Sequence, residues 1–249
     1  MPPYHPYLLY PSALFALSFL FCYTSVMRDR ITWPRLTILV ALFVLLWIAA
    51  WIVHNQVVAP GLHLIAGSVA DTVYWMIAKL LVWVVFPFLY VAQPLWKQTA
   101  FIGLQAKYLR RGLVFGAGVS ALWLILSALR FFLTGQHFAL TMSAFIAFYT
   151  VILTPLFEEI MFRGYIQSTL AALKTPFLLA DVVTTALFLV PHCIGWSFQG
   201  VLAANLTFGG IGTIAIISLL LGFVRYASNS LVGSTLLHMV NNLISILVH

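Results

Sequence analysis

The sequence predicts an all-α, polytopic transmembrane bundle of about eight membrane-crossing helices. Three observations carry that expectation. Hydrophobic residues make up 63% of the 249-residue chain and charged residues only 7%, where soluble domains carry roughly a quarter charged. Mean hydropathy is +1.06. The apolar residues also fall in long unbroken runs, not in the alternating segments of about ten residues that a membrane β-barrel requires.

About 20 apolar residues cross a bilayer, and such runs can be laid along the chain in order. The first covers residues 11–27 and stops at Arg28-Asp29-Arg30. The second covers 34–53, and a polar-aromatic loop without Lys or Arg is expected over 54–68. The third covers 71–91 with Lys79 inside it, followed by a basic connection carrying Lys97, Lys107, Arg110 and Arg111. The fourth covers 112–133, where Gly112, Gly116 and Ser120 form a small-residue stripe suited to close helix contact. The fifth runs from 138 into the stretch Thr154-Pro-Leu-Phe-Glu-Glu-Ile-Met-Phe-Arg-Gly164. There Pro155 either kinks the helix or restarts it with Thr154 as cap. The amphipathic tail, 160–173, is expected near the interface. The sixth, seventh and eighth cover 177–196, 205–224 and 231–248.

Charge placement gives the orientation. The net charge is +7, but the basic residues lie between apolar runs, which argues for membrane topology over a nucleic-acid partner. With the loop after the first span in the cytoplasm, ten of the twelve Lys and Arg residues fall on the cytoplasmic side. Lys79 and Arg130 are the exceptions, expected to snorkel or to pair with a loop group. Both termini then lie outside. Glu158 lies near the cytoplasmic end of its helix, so the reactive centre is expected to open inward. Met1–Tyr10 has no basic region, so a cleaved signal peptide is not expected. Cys22 and Cys193 read as inert core thiols. The lack of an organellar targeting segment favours a bacterial inner (plasma) membrane.

Ionisable groups at membrane depth are costly and default to a functional role. Glu158 and Glu159 are the only glutamates in the chain, and neighbours on a helix point about 100° apart, so they do different work. Glu159 and Arg163 are spaced i, i+4 and suit an ion pair. Glu158 is left to face a polar cavity. The sixth span supplies His192, one turn after Phe188, and the eighth supplies His238 and Asn242 on one face. A carboxylate beside an imidazole can hold and deprotonate a water, and a second imidazole with an amide can stabilise an oxyanion. The chemistry is hydrolysis of an amide by an activated water, without a covalent nucleophile. Glu158, His192 and His238 are also the residues that would bind a divalent metal such as zinc, the lesser option because no His-Glu-x-x-His is present.

Glu158-Glu159-x-x-x-Arg163, Phe188-x-x-x-His192 and His238-x-x-x-Asn242 resemble, in type, spacing and order, the three motifs of the CPBP (Abi) intramembrane proteases. That family includes the type II CAAX prenyl endopeptidases and bacteriocin-processing relatives. The resemblance divides the chain into residues 1–137, about four helices that set substrate or family-specific properties, and 138–249, a CPBP-type catalytic core. It implies a glutamate-dependent endopeptidase. Glu158 and His192 would activate the water, His238 and Asn242 would form the oxyanion hole, and Glu159 and Arg163 would support them. No cofactor is required by this reading. The implied partners are the lipid bilayer and a membrane-associated protein or peptide, prenylated or bearing a sorting tail, and not nucleic acid. The competing readings are a non-catalytic immunity or scaffold protein that binds a peptide without cutting it, and a proton-coupled transporter. The latter predicts an inverted repeat, and the sequence shows none. Interfacial charge and interhelical hydrogen bonding are the bland alternatives for the motifs taken singly.

Overall fold

The computed structural model describes residues 32–91, 95–135, 139 and 142–247. These residues form a bundle of helices. We number them α1 (Trp33–Leu62), α2 (Val69–Val91), α3 (Leu95–Phe101), α4 (Ala106–Thr134), α5 (Ala144–Ala172), α6 (Phe177–Phe198), α7 (Phe208–Ser228) and α8 (Leu231–Leu247). Six segments are long and apolar enough to cross a membrane, and α8 is a shorter apolar helix. The chain is an integral, multi-pass membrane protein. The expected first span, residues 11–27, lies outside the described residues, together with Cys22, Arg28 and Arg30, so the structure does not test the count of eight.

Prolines decide how several helices are wound. A proline lacks the backbone donor, and its ring presses on the carbonyl four residues back. Pro60, Pro87 and Pro155 each follow by two residues a stretch of π-helix, at His54–Val58, Leu80–Val85 and Tyr149–Leu153. The wider turn relieves that clash without ending the helix, which would strand backbone groups at membrane depth. One expectation is corrected by this, and one open choice is settled. The segment after residue 53 is not a loop, because helix continues to Leu62. At the other site the helix runs through Pro155 without restarting: Thr154 has helical φ and ψ of −59° and −53° and caps nothing.

Small residues bring α4 and α8 together. Gly112, Gly116 and Ser120 are all buried. A Cβ on Gly116 would stand 2.6 Å from the Cα of Gly233 in α8, and one on Gly112 would collide with Ser230. The expected stripe is therefore a backbone-to-backbone contact. On the other side of the bundle, α1, α2, α5 and α6 meet through aromatic rings. Trp83 packs edge-on against Phe43 and Trp47, both with centroids 5.2 Å away. Phe162 continues the layer towards Phe188 at 5.0 Å. Outward-facing Phe132, Leu133 and Phe208 are almost fully exposed, as lipid contact requires.

The tail of α5 departs most from expectation. Met161, Phe162, Arg163 and Ile166 are 0% exposed, as is Leu170. The stretch 161–170 is thus packed inside the bundle and does not lie on its surface, while Ala171 and Ala172 at the end of α5 are exposed. Its amphipathic pattern reflects α7 and α3 on its polar side: Arg163 reaches Ser218, Gln167 donates to the Gly222 carbonyl at 3.2 Å, and Tyr165 hydroxyl bonds Gln98.

Candidate active site

Glu158 and Glu159 follow each other on α5 and point to different partners. Glu159 is fully buried. Its Oε1 lies 3.2 Å from Arg163 Nη1 one turn on and accepts from His238 Nδ1 at 3.1 Å. Arg163 Nη2 donates to both the carbonyl and the hydroxyl of Ser218 in α7, each at 2.7 Å. The guanidinium also stacks 4.8 Å from the centre of the Phe188 ring. One side chain of α5 thereby grips α6 and α7.

Glu158 has a different cation. Lys79, from α2, places Nζ 2.6 Å from Glu158 Oε1, and the two side chains are 14% and 5% exposed. The ammonium also lies 5.1 Å from the centre of the Trp83 ring, a cation–π contact. The expectation that Lys79 snorkels or pairs with a loop group is therefore corrected. A buried carboxylate without a counter-charge is too costly, and the nearest helix supplies one. The second oxygen, Oε2, lies 3.6 Å from His238 Nε2. His238 thus stands between the two glutamates.

His192 is oriented by its own helix. Its Nδ1 lies 2.9 Å from the Phe188 carbonyl, and a carbonyl only accepts, so Nδ1 carries the proton and Nε2 presents a lone pair. Phe188 spaces the two imidazoles, its ring centre 4.9 Å from that of His192 and 6.0 Å from that of His238. Asn242, one turn beyond His238, donates Nδ2 to the Thr150 carbonyl at 3.0 Å. Its second amide proton is not engaged in that bond. Lys79, Thr150 and His192 line one cavity of about 310 Å³.

The structure therefore gathers Glu158, Glu159, Arg163 and His238 into direct contact. It sets His192 in the wall of the cavity beside them, and Asn242 behind that wall, bonded to the carbonyl of the lining residue Thr150. Sequence reasoning missed Lys79 and Ser218. Lys79 was findable, since it is an ionisable group inside an apolar run. Ser218 carried no signal. Two further acids are buried. Asp71 pairs with His54 at 2.7 Å, and Asp181 is wedged against Gly222, where a Cβ would strike its Oδ1. His54 lies within the helix and not in a loop.

The residues do not fit a metal ion as they stand. Among the described residues no group of three His, Cys, Asp or Glu side chains is placed to hold one. A divalent ion at Glu158 would also face the Lys79 ammonium, 2.6 Å from the same carboxylate.

Residues 139–244 match the family model described as Type II CAAX prenyl endopeptidase Rce1-like. All six motif residues lie within that segment. Over that segment the chain is similar to the CAAX protease family. Comparison with curated proteins and with solved structures gave no match. In a CAAX protease the implied substrate is a membrane-associated protein, met within or against the lipid bilayer. Lys79, the cation of Glu158, lies outside the matched segment.

Proposed function

We propose that the protein is an intramembrane endopeptidase that cuts a membrane-associated or lipidated protein or peptide with a glutamate-activated water. The observation that carries this reading is the paired Glu158, pinned at one oxygen by Lys79 with the other directed to His238, beside a cavity that reaches His192. Fixing Oε1 leaves Oε2 to accept a proton from water. His192 Nε2 is the second acceptor for that water. The hydroxyl oxygen attacks the substrate carbonyl carbon, and the proton passes through Glu158 to the departing amine. Asn242 offers its second amide proton to the oxyanion. His238 donates from Nε2 only as an imidazolium, because Nδ1–H is taken by Glu159.

The reading places the enzyme in a bacterial inner membrane. The substrate would be prenylated or carry a sorting tail. It uses no metal, so cleavage should persist in the presence of a chelator. Loss of activity restored by a divalent ion would overturn that part.

The test compares peptide and protein termini in cells carrying wild type or Glu158→Gln at equal membrane levels. Termini found only with wild type would establish proteolysis and name the substrate. Unchanged termini with both proteins folded would favour a non-cutting binder.

A further inference from the structure

We infer that the reactive cleft is reached from the face of the membrane opposite the basic loops, so that its substrate is a chain presented on the extracytoplasmic side. What happens in the cleft rests on the proteolytic reading above. The route does not.

The inward opening expected from sequence depended on Glu158 sitting near the end of its helix. In the structure α5 runs from Ala144 to Ala172, so Glu158 lies at mid-length and gives no direction. The cavity does. Its lining steps along three helices away from the site. On α1 it goes from Trp47 to Trp51, on α2 from Lys79 back to Thr72, and on α6 from His192 to Gln199. Trp51 lies past the middle of α1, Thr72 is in the first turn of α2, and Gln199 follows the last residue of α6. All three paths end at the same face.

That face carries no positive charge in its connections, and Arg130, near the end of α4, lies on its side. Residues 63–68, 135–143 and 199–207 contain no Lys or Arg. The opposite face holds Arg35 at the start of α1, Lys97, Lys107, Arg110 and Arg111 between α2 and the first turns of α4, Lys174 after α5, and Arg225 in the last turn of α7. By the positive-inside rule the basic face is cytoplasmic. The cleft mouth is then extracytoplasmic.

The cytoplasmic route is closed by matter. Between Glu158 and the basic face stand Met161, Phe162, Arg163 and Ile166, all 0% exposed. A second cavity, about 570 Å³, approaches from the basic side but stops at Arg163. The open cleft is walled by tryptophans, and among the described residues Lys79 is its one charged lining residue, with no carboxylate. Such a wall suits an apolar or acidic segment next to a membrane anchor, and rejects a basic one.

The experiment replaces Cys22 and Cys193 with Ser in the full chain. A single cysteine is then added, either Gln199→Cys at the mouth or Ala172→Cys at the basic face. Intact cells are treated with a membrane-impermeant maleimide. Gln199→Cys should be labelled from outside, and Ala172→Cys only after permeabilisation. The reverse pattern overturns the inference, and so does a Gln199→Cys that stays unlabelled after permeabilisation, since the mouth would then be shut. In the same cells, a bulky impermeant maleimide on Gln199→Cys should abolish the Glu158-dependent termini. If no such termini exist in any cells, the proteolytic reading fails while labelling still reports the route.

Discussion

Lys79 and Glu158 lie 79 positions apart in sequence, and neither is stable at membrane depth alone. With Glu159 and Arg163 they make a set of two anions and two cations. It is formally neutral. Removing one cation leaves an unpaired buried carboxylate, which costs about 3–5 kcal/mol. Lys79→Met should therefore lower the unfolding temperature in detergent and abolish cleavage. Lys79→Met combined with Glu158→Gln should regain most of the lost stability, though not activity. If the double variant unfolds as early as Lys79→Met alone, the pair does not carry the cost assigned to it. Arg163 makes a further case. Its two terminal nitrogens serve Glu159 and Ser218 at once, a geometry one ammonium cannot reproduce. Arg163→Lys should give a folded yield close to that of Arg163→Ala, as read by size-exclusion chromatography. The glutamate pair, both histidines and Asn242 stand out in sequence because polar groups are conspicuous among apolar ones. Which carboxylate meets which cation was only half visible. The Glu159–Arg163 pair is local, whereas the Lys79–Glu158 pair depends on how α2 packs on α5.

At the level of helices, the boundaries of α2, α6 and α8 were legible to within about two residues, the usual uncertainty of helix ends. Unbroken apolar runs set those limits directly. What misled was proline and polarity. His54 and Asn55 looked like a loop because each is polar, yet the helix continues through them, with His54 bonded to Asp71 and Asn55. The tail of α5 looked interfacial because its polar residues fall on one face, and that face is buried against other polar groups. The small-residue stripe was read correctly because its physics is simple: only residues lacking bulk let two backbones approach. Gly116→Leu should push α4 off α8 and destabilise the protein by about 1–3 kcal/mol or more. Gly118, two residues on, has nothing within 4 Å of its missing Cβ. Gly118→Ala should be neutral or stabilising by about 0.5–1 kcal/mol through helix propensity. Thermal unfolding of the two variants side by side measures the contact separately from the propensity.

Across the whole molecule, the family match covers residues 139–244, but the site it encloses is finished from outside. Lys79 comes from α2, and the aromatic layer behind Phe162 and Phe188 comes from Phe43, Trp47 and Trp83. Residues 138–249 expressed alone should not yield a stable membrane protein. Supplying residues 1–137 as a separate chain in the same membrane should restore it, measured as protease-resistant protein. The one cation for Glu158 has a meaning for exchange between proteins. The motif-bearing half is not a portable cassette. Grafted behind a different set of leading helices, it would bring its carboxylate, both imidazoles and the amide, and lack an ammonium. A lysine placed at the facing position of the new helix is the single repair such a hybrid would need first.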